Sequence, residues 1–219
     1  MIWAAFMPVL VFHLAGWLSA WIVELFSGYP KPDAALIALV TAVVSLPFLI
    51  AMKRRDRGLH FHGGAGMADG RAAGEPDRTN YCIPLHILAP FIGAALSFVF
   101  AYVMQRAGVY QRFSNASQEA LMASGLFWRI AGPGLLVPIA EELTYRGLLY
   151  PRLKRIAPRG IALLLTAACF GIGHGNVIQF LYAFPMSIVL CLLYDLPGSS
   201  LLVPILVHMG ANVLTLVWV

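Results

Sequence analysis

Pro138-Ile139-Ala140-Glu141-Glu142-Leu143-Thr144-Tyr145-Arg146-Gly147-Leu148-Leu149 sets two adjacent carboxylates and an arginine inside an otherwise apolar stretch. The chain around it has 219 residues, of which 60% are hydrophobic and 11% charged, and its mean hydropathy is +0.78. A soluble core could not bury that much apolar surface. The composition is that of an all-α, polytopic transmembrane helical bundle. In a bilayer an ionisable side chain is costly and marks function by default, so the fold class and the search for a site start from the same twelve residues.

Working outward, the formal net charge of +5 does not point to nucleic acid, because the Lys and Arg residues gather in short segments between apolar runs. That is the footprint of membrane topology. Cys82, Cys169 and Cys191 sit in apolar segments without CxxC spacing, so they read as small buried hydrophobes rather than a disulfide framework or zinc ribbon.

Residues 3–26 form the first apolar run, interrupted by His13 and Glu24. It lacks the basic n-region and short h-region of a cleaved leader and reads as an anchor helix that stays. A turn at Pro30-Lys31-Pro32-Asp33 leads to a second run, Ala34 to Met52, with Pro47 as an expected kink. From Lys53 to Asn80 the chain is Gly-rich and charged and reads as a cytoplasmic loop; His60 and His62 are given no role. A third span covers residues 81–104.

Residues 117–131 admit either an interfacial helix or part of one long kinked helix around Gly132-Pro133-Gly134. A fourth span, Leu135 to Tyr150, ends in the basic cluster Arg152, Lys154, Arg155 and Arg159, and further apolar runs cover 161–173, 177–194 and 201–219. At about 20 residues per crossing this makes about seven helices, with the site on the C-terminal four. One integral membrane domain, 1–219, is expected, with N-terminal helices and a basic loop over 1–105 and a catalytic helical core over 117–219. Alternation of the basic segments puts the N-terminus in the cytoplasm of a multi-pass protein of the cell (inner) membrane.

Residues four apart share a helix face, so Glu142 and Arg146 stack, with the acid on the favourable N-terminal side. Glu141 is turned about 100° away and faces a different neighbour. The same spacing recurs in Phe170-Gly171-Ile172-Gly173-His174 and in His208-Met209-Gly210-Ala211-Asn212. Helices must converge to satisfy this set, whereas His13 and His86 read as single histidines hydrogen-bonded to a neighbouring helix. A carboxylate with a histidine can take a proton from water, and a second histidine with an amide can donate to the oxyanion formed when water attacks a carbonyl. Serine chemistry lacks a GxSxG or a partnered serine, and Cys169 is off the face of His174.

These motifs resemble the CPBP (Abi) family of glutamic-type intramembrane proteases, which includes CAAX prenyl endopeptidases and bacteriocin-processing enzymes. Its pattern EExxxR, FxxxH, HxxxN is met in order by Glu141-Glu142-Leu-Thr-Tyr-Arg146, Phe170-Gly-Ile-Gly-His174 and His208-Met-Gly-Ala-Asn212. The resemblance covers about Leu135 to the C-terminus. It implies that Glu141 is the general base with His174, that His208 and Asn212 form the oxyanion pocket, and that Glu142 and Arg146, with Phe170, support the site. One departure is Phe184-Pro185-Met186-Ser187, where the family usually has glycine, and a reshaped substrate groove is expected there.

No cofactor is expected. The alternative is zinc on Glu141, His174 and His208, a His2Glu set, but Asn212 is a poor zinc ligand and a good oxyanion donor. The expected partners are a membrane-associated protein or peptide substrate and the lipid bilayer. The same buried groups would also suit a proton path in a small transporter or a non-catalytic scaffold. Nothing in the chain selects among prenylated tails, peptide leaders and C-terminal sorting segments.

Overall fold

The computed structural model describes residues 2–27, 33–62, 79–196 and 200–218, with side chains throughout them except at 27, 57–62, 79–84 and 218. The expected turn at Pro30-Lys31-Pro32, the side chains of His60, His62 and Cys82, and most of the Gly-rich stretch lie outside the described residues.

Three long helices open the chain: α1 (Ile2–Ser27), α2 (Ala34–His62) and α3 (Thr79–Arg106). The helix α2 does not end at Met52 as the hydropathy suggested. It continues through Lys53, Arg54 and Arg55, because Lys and Arg are good helix formers even where they cannot enter a bilayer. Two short helices follow, α4 (Val109–Arg112) and α5 (Ala116–Met122), the second capped by Asn115, whose Oδ1 accepts from the Gln118 amide at 3.4 Å. The ambiguous residues 117–131 therefore divide at Gly125, where the next helix begins.

That next helix, α6, is continuous over 126–153 but irregular: α-helical at Leu126–Arg129, Val137–Glu142 and Tyr150–Leu153, and π-helical at Ile130–Leu136 and Leu143–Leu149. The i→i−5 pattern is explicit where the Val137 N–H reaches Gly132 O and the Tyr150 N–H reaches Tyr145 O. Pro133, Pro138 and Pro151 lack an N–H and crowd the preceding turn, and a widened turn absorbs that crowding without breaking the helix. Pro151 cannot bond the Gly147 carbonyl four residues back; Lys53 Nζ donates to it instead.

The bundle is completed by α7 (Arg159–Ile172), α8 (Val177–Tyr194) and α9 (Leu202–Trp218). Among the described residues, α1, α2, α3 and α8 are each long and apolar enough to cross a membrane, and α7 and α9 are shorter apolar helices. With α6 they form a helical membrane bundle.

Side-chain bonds tie the helix ends into two opposite sets. At one end, Arg152 pairs with Asp56 at 2.8 Å and donates to Ala4 O at 2.7 Å, while Lys154 (2.7 Å) and Arg159 (2.8 Å) both bind Asp195. At the other, the Ala35 amide meets Ser124 Oγ (3.2 Å), Arg129 Nη1 meets Leu216 O (3.2 Å) and Asn176 Nδ2 meets Ser117 Oγ (3.4 Å). The first is the basic end and the second the far end. Arg152, Lys154 and Arg159 of the second basic cluster are thus paired with carboxylates from other helices, beyond their part in topology.

Helices α3 and α9 are in backbone contact through glycines. A Cβ on Gly93 would lie 1.7 Å from Val207 O, and one on Gly210 1.9 Å from Pro90 O, the close approach that small residues allow between membrane helices. Some buried hydroxyls are satisfied inside their own helices, as in Ser19 to Ala15 O (2.7 Å) and Thr144 to Ala140 O (2.7 Å). Trp3, Trp17, Trp21 and Phe26 of α1 are exposed on the outer wall, a surface suited to lipid.

Candidate active site

Glu142 and Arg146 are both fully buried, and the stacking expected from their spacing is present, with Arg146 Nη1 2.8 Å from Glu142 Oε1. The guanidinium uses its other end on α8, where Nη2 donates to Ser187 Oγ (2.6 Å) and Ser187 O (3.1 Å). Its Cζ also lies 4.7 Å from the centroid of the Phe170 ring, a cation–π contact. A charge taken out of both water and lipid is thereby matched by a carboxylate, a hydroxyl, a carbonyl and an aromatic face.

None of Phe184-Pro185-Met186-Ser187 lines the cavity that holds Glu141 and His174. Met186 and Ser187 are buried, Ser187 holds Arg146, and Phe184 stacks on Phe180 against Gly171. Sequence reasoning missed the role of Ser187, because nothing in its local pattern tells which helix faces it.

Glu142 Oε1 also takes the Nδ1–H of His208 at 2.8 Å. The other ring nitrogen, Nε2, is 3.6 Å from Glu141 Oε2, beyond hydrogen-bond range. The two adjacent glutamates therefore flank one imidazole from opposite sides. Glu142 is committed to it and to Arg146, while Glu141 lies on the wall of a cavity of about 240 Å³ that it shares with His174, Asn212, Gln179 and Tyr182.

His174 lies just beyond α7, whose C-cap is Gly173, in a turn closed by Gly175 at φ +77°. This differs from a position within the span: the two glycines end the helix first. The His174 ring folds back and bonds the Phe170 carbonyl through Nδ1 at 2.8 Å. A carbonyl only accepts, so Nδ1 carries the proton and Nε2 of the neutral ring carries the lone pair. Phe170 packs edge-on against His174 (4.9 Å), His208 (5.6 Å) and Tyr145 (5.0 Å), holding both imidazoles in place.

Asn212 is one turn beyond His208 on α9, and its Nδ2 donates to Pro133 O at 2.9 Å. In the π pattern that carbonyl would pair with the residue five further on, which is Pro138 and has no N–H. Asn212 caps the defect with one amide hydrogen and keeps the second, on the cavity wall.

His13, expected to meet a neighbouring helix, packs on the end of α7. Its Cε1 is 3.2 Å from where a Cβ on Gly173 would stand, and it interacts electrostatically with Glu141 and His174. The absence of a side chain at Gly173 is what lets α1 approach. His86 does meet another segment, with Nε2 3.4 Å from Ser200 Oγ. Glu141, His174 and His208 are not grouped tightly enough to hold a metal ion, and no other set of three His, Cys, Asp or Glu among the described residues is.

Residues 123–214 match the family model of type II CAAX prenyl endopeptidase Rce1-like proteins. The matched segment runs from just after α5 almost to the end of α9 and contains all three motifs. No curated protein and no solved structure matches this chain.

Proposed function

The match over 123–214 is to the CPBP/CAAX protease family, whose members are membrane peptidases acting on membrane-associated peptide substrates, and from that premise we propose that this chain is an intramembrane endopeptidase of glutamic type. Glu141, with the unprotonated Nε2 of His174 beside it in the cavity, takes a proton from water as the water oxygen attacks the scissile carbonyl carbon. The tetrahedral oxyanion accepts from the free amide hydrogen of Asn212 and from Nε2–H of His208 in its imidazolium form. On collapse of the intermediate the C–N bond breaks and the proton held by Glu141 passes to the departing amine. Glu142, Arg146 and Phe170 position His208 and take no part in the bond changes.

The division of labour between adjacent glutamates carries this reading. Glu142 holds Arg146 and His208 on one carboxylate oxygen, and Glu141 borders the cavity with the Nε2 of His208 3.6 Å away, outside hydrogen-bond range. The experiment is a comparison of membrane-protein termini in cells carrying wild type or Glu141→Gln at equal expression. Specific termini should vanish in the mutant. Identical sets of termini, together with proton-coupled flux in liposomes, would turn the reading to a transporter. Activity that survives strong chelation in protein without bound zinc is expected; one zinc per chain, lost in Glu141→Ala, would replace the glutamate mechanism by a metal-dependent one.

We further infer an orientation in the cell membrane with the N-terminus and the basic end in the cytoplasm, from the placement of Lys and Arg.

A further inference from the structure

We propose that the substrate is a polypeptide segment presented from the non-cytoplasmic face of the membrane, cut within about the first seven residues of its own membrane span. This rests on the protease reading and deepens it. Three observations carry it.

The first is charge. Among the described residues, eight Lys and Arg lie at the basic end, in 53–57 and 152–159, against three at the far end, Arg106, Arg112 and Arg129. That asymmetry assigns the basic end to the cytoplasm.

The second is where the cavity opens. Its walls come from the far ends of the helices: Ala38 near the start of α2, Ala101 near the end of α3, Tyr110 and Gln118 of α4 and α5, Gln179 in the first turn of α8, and Thr215 near the end of α9. The basic end contributes none of the lining.

The third is the seal beneath Glu141. Tyr145, Arg146, Leu148, Leu149, Tyr150 and Leu153 are each 2% exposed or less. Between Glu141 and the cytoplasmic end α6 is therefore enclosed on all sides, and the two inner groups of the cavity, Glu141 and His174, share walls with the far face. A cytoplasmic prenylated tail would approach the sealed side.

Depth sets the position of the cut. Glu141 is 15 residues along α6 from Leu126, about 22 Å at 1.5 Å per residue. An extended chain at about 3.4 Å per residue covers that in about seven residues. The segment must leave its helix to do so, which exposes the backbone carbonyl for attack.

Two measurements on the full-length membrane protein test this. In spheroplasts of a bacterial host, a membrane-impermeant maleimide should label Glu119→Cys on α5 in intact cells and Ile156→Cys only after lysis, with wild type giving the native-cysteine background. An alkaline phosphatase fused after Val219, beyond the far end of α9, should be active without lysis and serves if either cysteine variant is poorly made. The reverse pattern overturns the inference and leaves the protease reading standing. In the termini comparison, those lost with Glu141→Gln should fall at the non-cytoplasmic ends of spans. Lost termini in cytoplasmic tails overturn the inference while supporting an endopeptidase, and no lost termini sinks both.

Discussion

Glu142 and His208 are joined by a 2.8 Å hydrogen bond between α6 and α9, made on the same carboxylate oxygen that binds Arg146. One oxygen atom thus ties the arginine of the first motif to the histidine of the third. The orientation of His208 depends on a side chain that never faces the cavity.

Breaking that junction should cost folding before it costs chemistry. Arg146→Ala leaves Glu142 buried with its main cationic partner gone, worth about 3–5 kcal/mol, and should lower both yield and thermal stability in detergent. Ser187→Ala removes one acceptor from a charged donor and should cost about 1.5–3 kcal/mol. An Arg146→Ala protein with wild-type melting and activity would refute the bracing role.

Asn212 serves two partners, so its variants should separate them. Asn212→Ala should lower turnover on the order of 100-fold and stability by about 1 kcal/mol, because the Pro133 carbonyl loses its donor. Asn212→Asp should be less stable than Asn212→Ala, since a carboxylate oxygen would face that carbonyl. The pair of melting temperatures decides it: equal values would mean that the Pro133 bond contributes nothing.

Gly210→Ala should separate α3 from α9. The added Cβ would stand 1.9 Å from a backbone oxygen of Pro90, which cannot rotate away as a side chain could. Loss of the folded form is expected, seen as aggregation on size-exclusion chromatography. Gly160→Ala, with nothing within 4 Å, is the matched control and should behave as wild type.

Asp195, at the C-terminal cap of α8, should make stability pH-dependent. Burial raises its carboxyl, but hydrogen bonds from Lys154, Tyr150 and Arg159 outweigh this and hold its pKa below the ordinary carboxylate value. A folded pKa below the unfolded one contributes stability that is complete above the unfolded value, near ~3.9, and is lost as pH falls through the folded value. Asp195→Asn should melt lower than wild type at neutral pH, and the gap should close on acidification. A gap constant with pH would mean that the cluster acts without its charge.

What the sequence made legible is what depends on spacing along one helix. The stacking of Glu142 on Arg146, the divergence of Glu141 and the shared face of His208 and Asn212 follow from helical geometry alone. Composition likewise sufficed for the membrane class. Ser187, Asp56 and Asp195 were not legible as partners, because their role depends on which helices adjoin, and no local pattern in an apolar chain encodes that. The neighbours of His13 were not legible for the same reason: only the packing of α1 on Gly173 brings it near Glu141 and His174. The π turns fall between these cases. Pro133, Pro138 and Pro151 are visible in the sequence, but a proline equally signals a kink or a break, and the choice of a widened turn is made by surroundings that include Asn212 and Lys53.

Each of those π turns also fixes the angular phase of α6. The turn at Ile130–Leu136 accommodates one residue that an α-helix would not, so forcing the segment into a regular α-helix without removing that residue would rotate everything before it by about 100° relative to Glu141. Leu126 to Arg129, and with them the contact of Arg129 to the end of α9, would then face the wrong neighbours. The irregular helix behaves as a frame that can be straightened at constant length only by turning the far-end wall of the cavity away from the carboxylate it encloses.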